Sequence, residues 1–234
     1  SNGKTIVKEW LYQLLQQDYN IVRSPKSYNS QIGVPLSVWQ MSEEHTLGIF
    51  EAGISRPGEM EKLEKIIRPT IGIITNIGEA HSEGFASREQ KLQEKEILLR
   101  HAKQPPPLNS IHISKQAGST TITALKYPDF TEQVSVRIPF TDDASIDNAM
   151  SCWRIMLMLG YDNDTISSRM QRLQPINMRL ELKKGINGCS VINDSYSADI
   201  SSLEIALDFL EQQGTGSRRT VILSDFLQTA MQQE

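Results

Sequence analysis

The sequence contains little of several features that define whole classes of protein. Only two of its 234 residues are cysteine, Cys152 and Cys189, and they lack the C-x-x-C spacing of a metal or redox motif. No apolar run reaches the ~18 residues that a membrane-spanning helix needs. Basic residues are not in excess, because 24 lysines and arginines face 28 aspartates and glutamates, a net charge of −4. These absences favour a cytoplasmic protein that neither inserts into a membrane nor binds nucleic acid.

The first functional signal that is present lies at the N-terminus. Gly3-Lys4-Thr5 reproduces the second half of the phosphate-binding loop G-x-x-x-x-G-K-[ST]. In that loop glycine admits backbone N–H groups to the phosphates, lysine contacts the β- and γ-phosphates, and the hydroxyl binds Mg²⁺. Apolar residues then recur at helical spacing, so we expect a helix to begin at the loop. The first glycine and the preceding strand are missing, and an ordinary helix start with Thr5 near its cap is the alternative.

Apolar runs alternate with helical patterns in the first half of the chain. Residues 46–50 and 71–77 are nearly continuous apolar runs, which is typical of strands buried on both faces. Helical spacing follows each run, at 59–67 and 87–101. This alternation predicts an α/β fold of the phosphate-loop type, with a mostly parallel sheet and helices on both of its faces.

Polar side chains follow these strands at the sheet edge where ligands bind in such folds. Glu51 ends the first run, and His81 lies in the loop after the second. With the Thr5 hydroxyl, this carboxylate and imidazole can hold Mg²⁺ beside a triphosphate. A solvated acid at Glu51 and a locally hydrogen-bonded histidine at His81 are the alternatives. Asn76 ends the second run, and Glu79 and Glu83 in the following loop could be extra ligands or a simple acidic rim.

The pattern changes after a proline-rich break at 104–110. Alternation at 120–126 and 133–138 predicts paired strands with one wet face. Two helices capped by aspartate follow, and then a second α/β unit begins. The predicted elements of this half are helices at 142–159, 162–173 and 201–211, and strands at 180–182, 190–192 and 220–223.

A series of short motifs runs in order along nearly the whole chain: Gly3-Lys4-Thr5, Asn29 to Leu36, Glu51-Ala52-Gly53, Pro57-Gly58-Glu59, Thr75 to Phe85, Asn148-Ala149, Met178-Arg179-Leu180 and Asp194 to Ala198. In this order the chain resembles the ATP-dependent muramyl (Mur) ligases. The branch it resembles most joins D-alanyl-D-alanine to UDP-N-acetylmuramoyl-tripeptide in peptidoglycan-precursor synthesis.

The resemblance implies a domain organisation and a reaction. Residues 1–174 would be the central ATP-binding domain without its first strand, and 175–234 the truncated start of a Rossmann-like C-terminal domain. ATP would convert the tripeptide carboxylate to an acyl phosphate, and the amine of D-alanyl-D-alanine would then displace phosphate. ATP and Mg²⁺ are therefore the expected cofactors, and this chain alone is expected to be inactive.

The resemblance also implies site residues, position by position. Nucleotide binding falls to Gly3, Lys4, Thr5, Asn148, Arg179 and Asp194. Metal binding falls to Thr5, Glu51, His81 and Lys95, and the catalytic roles to Lys4, His81 and Lys95. Lys95 matches the family's carbamylated lysine, whereas its setting in Glu94-Lys95-Glu96 by itself predicts an exposed charged helix face.

Three serines replace the family's asparagines: Ser30, Ser145 and Ser197. These replacements are similar to the ligase half of bifunctional ligase–alanine racemase chains, which implies a pyridoxal-phosphate racemase domain beyond Glu234. Two alternative functions follow from the same residues. One is a folylpolyglutamate synthetase-like ligase, and the other is a degenerate nucleotide-binding module that serves as an interaction scaffold.

Overall fold

A computed structural model describes residues 3–75, 84–125, 131–177, 179–195, 200–213 and 218–223. The helices are α1 (Lys4–Leu15), α2 (Gly33–Val38), α3 (Glu59–Ile67), α4 (Arg88–Glu96), α5 (Asp143–Met158), α6 (Asn163–Met170) and α7 (Ile200–Gln213). The strands are β1 (Ile21–Arg23), β2 (Leu47–Ile49), β3 (Asn109–Gln116), β4 (Ser119–Leu125), β5 (Gln133–Ile138), β6 (Glu181–Lys184) and β7 (Ser190–Asn193). Short 3₁₀ turns lie at Ile97–Leu99 and Ile186–Gly188.

The helix predicted after Gly3 is confirmed as α1. Its apolar residues at helical spacing face the main core, where Trp10 and Leu14 are buried. The Trp10 ring stacks on Phe140 with centroids 4.9 Å apart, and its indole N–H donates to the carbonyl of Gln174 at 3.0 Å. This packing fixes the helix whose first residues carry the phosphate-loop motif.

The strands β1 and β2 form a parallel pair, in register from Ile21 opposite Leu47 to Arg23 opposite Ile49. The prediction that β2 is buried on both faces was wrong. Leu47 and Ile49 pack against the main core, whereas Gly48 points to the opposite face and is exposed. The carboxyl ends of the two strands lie side by side, as a parallel pair requires.

Two other strand predictions were wrong in the described residues. The run at 71–77 yields only an isolated parallel bridge between Ile71 and Lys103 within 71–75, and its last two residues lie outside the described part. Residues 218–223 form no strand, and Ile222 is 93% exposed. An apolar run becomes a strand only where a neighbour supplies hydrogen bonds. The polar edge strand β3 was not predicted.

Apart from residues 218–223 and the unpredicted β3, the second half of the chain follows its predicted pattern. Strands β3, β4 and β5 form an antiparallel sheet whose last strand alternates strictly between exposed and buried residues. Helices α5 and α6 begin at Asp142 and Asp162, each of which accepts a backbone N–H, at 2.7 and 2.8 Å. Strands β6 and β7 pair antiparallel ahead of α7.

The α/β class is confirmed, with parallel and antiparallel pairing both present. A domain boundary between 174 and 175 stays a prediction. Across the described ranges, no helix combines the length and apolar character needed to cross a membrane.

Candidate functional site

The N-terminus of α1 has the backbone conformation of a phosphate-binding loop. Gly3 adopts φ +89, a left-handed conformation that favours glycine, and its carbonyl accepts the N–H of Val7 at 2.8 Å. Gly3 is the N-cap residue and has no side chain to cap the helix, so the first turn and its dipole suit an anion. A Cβ atom at Gly3 would collide with the side-chain oxygen of Asn148 on α5. The structure therefore places Asn148, predicted to contact the nucleotide, against the backbone of the loop.

Thr5 lies in the first turn of α1, near its cap as in the alternative, and its side chain reaches across to the end of β2. Its hydroxyl donates to Oε2 of Glu51 at 2.9 Å. The other carboxylate oxygen accepts from the Asn29 amide at 2.6 Å, and the Glu51 N–H donates to Oγ of Ser24 at 3.0 Å. Glu51 is 4% exposed, so the alternative of a solvated acid is wrong. The prediction that Thr5 and Glu51 meet at the sheet edge is confirmed.

This pair suits Mg²⁺ bound together with phosphates. Mg²⁺ usually takes one or two carboxylates from the protein and completes its shell with water and phosphate oxygens. In the described ranges no three His, Cys, Asp or Glu side chains converge as a dedicated metal cage. The hydroxyl of Thr5 and the carboxylate of Glu51, beside the N-terminus of α1, are the oxygen donors that a phosphate-bound Mg²⁺ needs.

Helix α4 buries lysines instead of exposing them. It begins at Ser87, whose hydroxyl accepts the N–H of Gln90 at 3.1 Å. One turn apart on its inner face, Lys91 is 2% and Lys95 is 8% exposed, so the predicted exposed charged face was wrong. Burial, with the charges of Lys4 and Lys91, lowers the pKa of Lys95 to about 8. Nζ of Lys95 makes no hydrogen bond to a described residue. This setting fits an anionic group at the same position.

The start of the predicted second domain also reaches the site. The Arg179 guanidinium lies 3.5 Å from the hydroxyl of Thr5. Asp194 holds the neighbouring backbone, because its Oδ1 accepts the N–H of Leu180 at 3.1 Å. Leu180 has φ +48, a conformation that L residues rarely adopt and that this hydrogen bond stabilises. Five candidate residues discussed in the sequence analysis lie outside the described part: Asn76, Glu79, His81, Glu83 and Ser197.

The two described serine replacements have local structural roles. The Ser30 hydroxyl accepts the N–H of Gly33 at 3.2 Å, and this bond supports the start of α2. Ser145 is buried in the first turn of α5, where its N–H donates to Asp142.

Sequence analysis missed three residues around Glu51. Ser24, Asn29 and Lys8 all contact this carboxylate or its backbone, within 3.9 Å. Ser24 and Asn29 lie in a polar loop without periodicity, and only pairing of β1 with β2 brings them to Glu51. Lys8 did carry a signal, because it interrupts the apolar face of α1 one turn after Lys4.

Known proteins resemble this chain in sequence. The model of the Mur ligase middle domain matches residues 1–109. The UDP-N-acetylmuramoyl-tripeptide–D-alanyl-D-alanine ligase of Treponema pallidum is 42% identical over 88% of this chain and 50% of its own length. The ligase of the same name from Bacillus subtilis is 27% identical over 97% of this chain and 55% of its own length. The chain thus spans about half the length of these curated relatives.

Solved structures share the fold. MurF from Acinetobacter baumannii superimposes with a TM-score of 0.79 at 24% identity, over 92% of this chain and 53% of that one. A MurF ligase from Thermotoga maritima, in complex with ADP, gives 0.74 at 22% identity over 90% of this chain and 55% of that one. A point mutant of L. casei FPGS gives 0.62 at 9% identity over 92% of this chain and 70% of that one, so the folylpolyglutamate alternative has weaker support. Residues 1–109 thus match a Mur ligase middle domain, and nearly the whole chain is similar to ligases of this family.

Proposed function

We propose that the whole protein is an ATP-dependent amide ligase that joins D-alanyl-D-alanine to UDP-N-acetylmuramoyl-tripeptide in peptidoglycan-precursor synthesis. The observation that carries the proposal is the 2.9 Å hydrogen bond from Thr5 to Glu51. It joins a helix opened by Gly3-Lys4 to the end of a parallel strand, which is the arrangement of a nucleotide site. The substrates are inferred from the names of the relatives. The ADP complex of a similar ligase supports ATP as the nucleotide.

Each site residue has a defined task in this reaction. Lys4, on the first turn of α1, would neutralise the β- and γ-phosphates. Thr5 and Glu51 would hold Mg²⁺, and Asn148 and Arg179 would border the nucleotide. ATP with Mg²⁺ supplies the phosphoryl group that turns the tripeptide carboxylate into an acyl phosphate. The D-alanyl-D-alanine amine then forms the C–N bond, loses a proton, and the C–O bond to phosphate breaks.

Lys95 would supply a further anionic ligand as a carbamate. Carbamylation consumes the neutral amine, and a pKa of about 8 makes that form far more available at neutral pH than for an exposed lysine. The product is a carboxylate-like group at a buried position where Lys4 and Lys91 supply positive charge. His81 would serve a second metal position, and a fused racemase stays a prediction.

The proposal is tested by phosphate release from Mg-ATP by the whole protein. One reaction contains UDP-N-acetylmuramoyl-tripeptide and D-alanyl-D-alanine, and a second contains folate and glutamate. We expect release only in the first, and a Lys4→Ala variant should lower it by about 10²–10³-fold. The exposed Lys62 on α3 gives the matched control, Lys62→Ala, which should leave the rate unchanged.

The other outcomes separate the alternatives. Release only with folate and glutamate would assign the protein to the folylpolyglutamate branch. If the folded protein releases no phosphate in either reaction, the scaffold interpretation is favoured. A nucleotide site that hydrolyses no ATP with any acceptor has lost its chemistry.

A further inference from the structure

Lys8 is a buried lysine to which the proposed reaction gives no task. It lies one helical turn after Lys4 and is 3% exposed, on the face of α1 that also buries Val7 and Leu11. An ammonium group at such a position is costly unless its charge and its N–H donors are matched. The groups that match it therefore indicate what it holds in place.

Two carbonyl oxygens and a carboxylate oxygen surround the ammonium group, which has three donors. Nζ donates to the carbonyl of Ser24 at 2.8 Å and to the carbonyl of Lys26, and Oε1 of Glu9 lies 3.1 Å away. Both carbonyls belong to the turn that directly follows β1. Lys26 has φ +49, which backbone preference disfavours for a residue with a side chain. Lys8 therefore stabilises a turn that would not form readily without it.

The same turn holds the predicted metal ligand. Ser24, whose carbonyl binds Lys8, accepts the N–H of Glu51 on its hydroxyl at 3.0 Å. Nζ of Lys8 is also 3.9 Å from Oε2 of Glu51, the oxygen that Thr5 contacts. At 3.9 Å this last interaction is one of charge and not a hydrogen bond. Lys8 thus acts on Glu51 through the turn and through its charge.

We propose that Lys8 is a positioning residue that fixes Glu51, through the turn at residues 24–26, for binding of a divalent cation. The inference rests on the proposed function, because it takes Thr5 and Glu51 as metal ligands. A lysine near a metal also repels it, and the carboxylate of Glu9, which pairs with both Lys8 and Arg23 at 3.1 Å, offsets part of that charge. A ligand held ready in one orientation binds with less loss of conformational entropy, so fixing Glu51 outweighs the repulsion.

The test is Mn²⁺ binding to the whole protein in the presence of ADP, followed by electron paramagnetic resonance. We expect Lys8→Met to weaken Mn²⁺ binding by about 10–100-fold, the range for loss of a residue that orients a metal ligand. Ser24→Ala removes a different link in the same chain of contacts and should weaken binding in the same direction. Lys62→Met, on the exposed face of α3, should bind Mn²⁺ as the wild type does.

Steady-state kinetics distinguish positioning from other roles. In Lys8→Met the Mg²⁺ concentration for half-maximal rate should rise, while kcat at saturating Mg²⁺ returns to near the wild-type value. Unchanged or tighter Mn²⁺ binding in the folded variant would overturn the inference, as would a loss of kcat that Mg²⁺ does not restore. If Lys8→Met does not fold, Ser24→Ala decides, and unchanged Mn²⁺ affinity there overturns the inference. A wild-type protein that binds no Mn²⁺ with ADP would instead overturn the proposed function, and this inference with it.

Discussion

The hydroxyl of Thr5 donates to Oε2 of Glu51 at 2.9 Å, although 46 residues separate them in the chain. One residue opens a helix and the other ends a strand, so the hydrogen bond joins the two kinds of terminus at which phosphates and their metal ions bind in α/β proteins. Because Asn29 holds the second oxygen, the orientation of the carboxylate is set before any ligand arrives.

Glu51→Gln should raise the Mg²⁺ requirement of the whole protein without disrupting its fold. The amide oxygen still accepts from Thr5, but the charge that attracts the cation is lost. We expect the half-maximal Mg²⁺ concentration to rise by about tenfold or more, in the range for altered metal sites. Titration of the ligase rate with Mg²⁺ measures this. Glu61→Gln, at an exposed carboxylate on α3, is the control, and equal Mg²⁺ curves for the two variants would contradict the role of Glu51.

Gly3→Ala should weaken nucleotide binding more than it weakens the fold. A left-handed conformation costs a residue with a Cβ about 1–2 kcal/mol. At Gly3 the added Cβ also collides with Asn148, so the loop or the amide must move. Gly58→Ala is a matched control, because Gly58 has φ +80 with open space around its Cβ position. Calorimetric titration with ADP should show a loss of affinity for Gly3→Ala alone, and equal affinities would contradict this assignment.

The sequence correctly predicted those elements that interactions between residues close in the chain determine. The spacing of Trp10 and Leu14 gave α1, and Asp142 and Asp162 gave the starts of α5 and α6, because periodicity and capping act within a few residues. The convergence of Thr5 on Glu51 followed from one topological rule, that carboxyl ends of parallel strands share an edge of the sheet.

What sequence analysis missed depends on tertiary environment. Lys91 and Lys95 look like exposed charges, since nothing in a polar helix sequence shows that its inner face lies against the site. Ile222 sits in a run that looks like a strand, yet no described strand pairs with it. The polar strand β3 formed because β4 supplies its hydrogen bonds, not because of its own composition.

Lys95→Met should stabilise the fold at neutral pH while it removes the proposed carbamate. The pKa of Lys95 falls from 10.5 to about 8 in the folded state, chiefly through burial, so the folded protein binds this proton less tightly than the unfolded chain. The cost of burying the charge is therefore full below pH 8 and disappears as pH rises past 10.5. A shift of this size corresponds to ~3 kcal/mol.

Urea denaturation in CO₂-free buffer measures this effect. The gain in unfolding free energy of Lys95→Met over wild type should be largest at pH 7 and shrink by pH 10. Lys62→Met replaces an exposed lysine and should show no gain at either pH. A gain for Lys95→Met that is constant with pH would mean that packing, and not the buried charge, is responsible.

At pH 7, Asp18→Asn should already lack a part of the stability that the wild type loses only in acid. Asp18 accepts from Arg169 and, at 2.6 Å, from the Tyr161 hydroxyl, and thereby links the end of α1 to α6. These hydrogen bonds lower the pKa of Asp18 below 3.8, so its contribution is complete above pH 3.8 and is lost as pH falls through the folded pKa. Since the carboxylate is partly exposed, we expect a loss of less than ~1 kcal/mol at pH 7.

Thermal unfolding at pH 7 and pH 2.5 measures the contribution of Asp18. Wild type and Asp18→Asn should differ at pH 7, and the difference should shrink as the pH falls below 3.8, because acid protonates the wild-type carboxylate. Asp208→Asn, at an exposed site on α7, should leave the pH 7 unfolding temperature unchanged. A difference between wild type and Asp18→Asn that persists undiminished at pH 2.5 would show that the amide disturbs packing around Tyr161 and Arg169, and that the charge of Asp18 is not the stabilising feature.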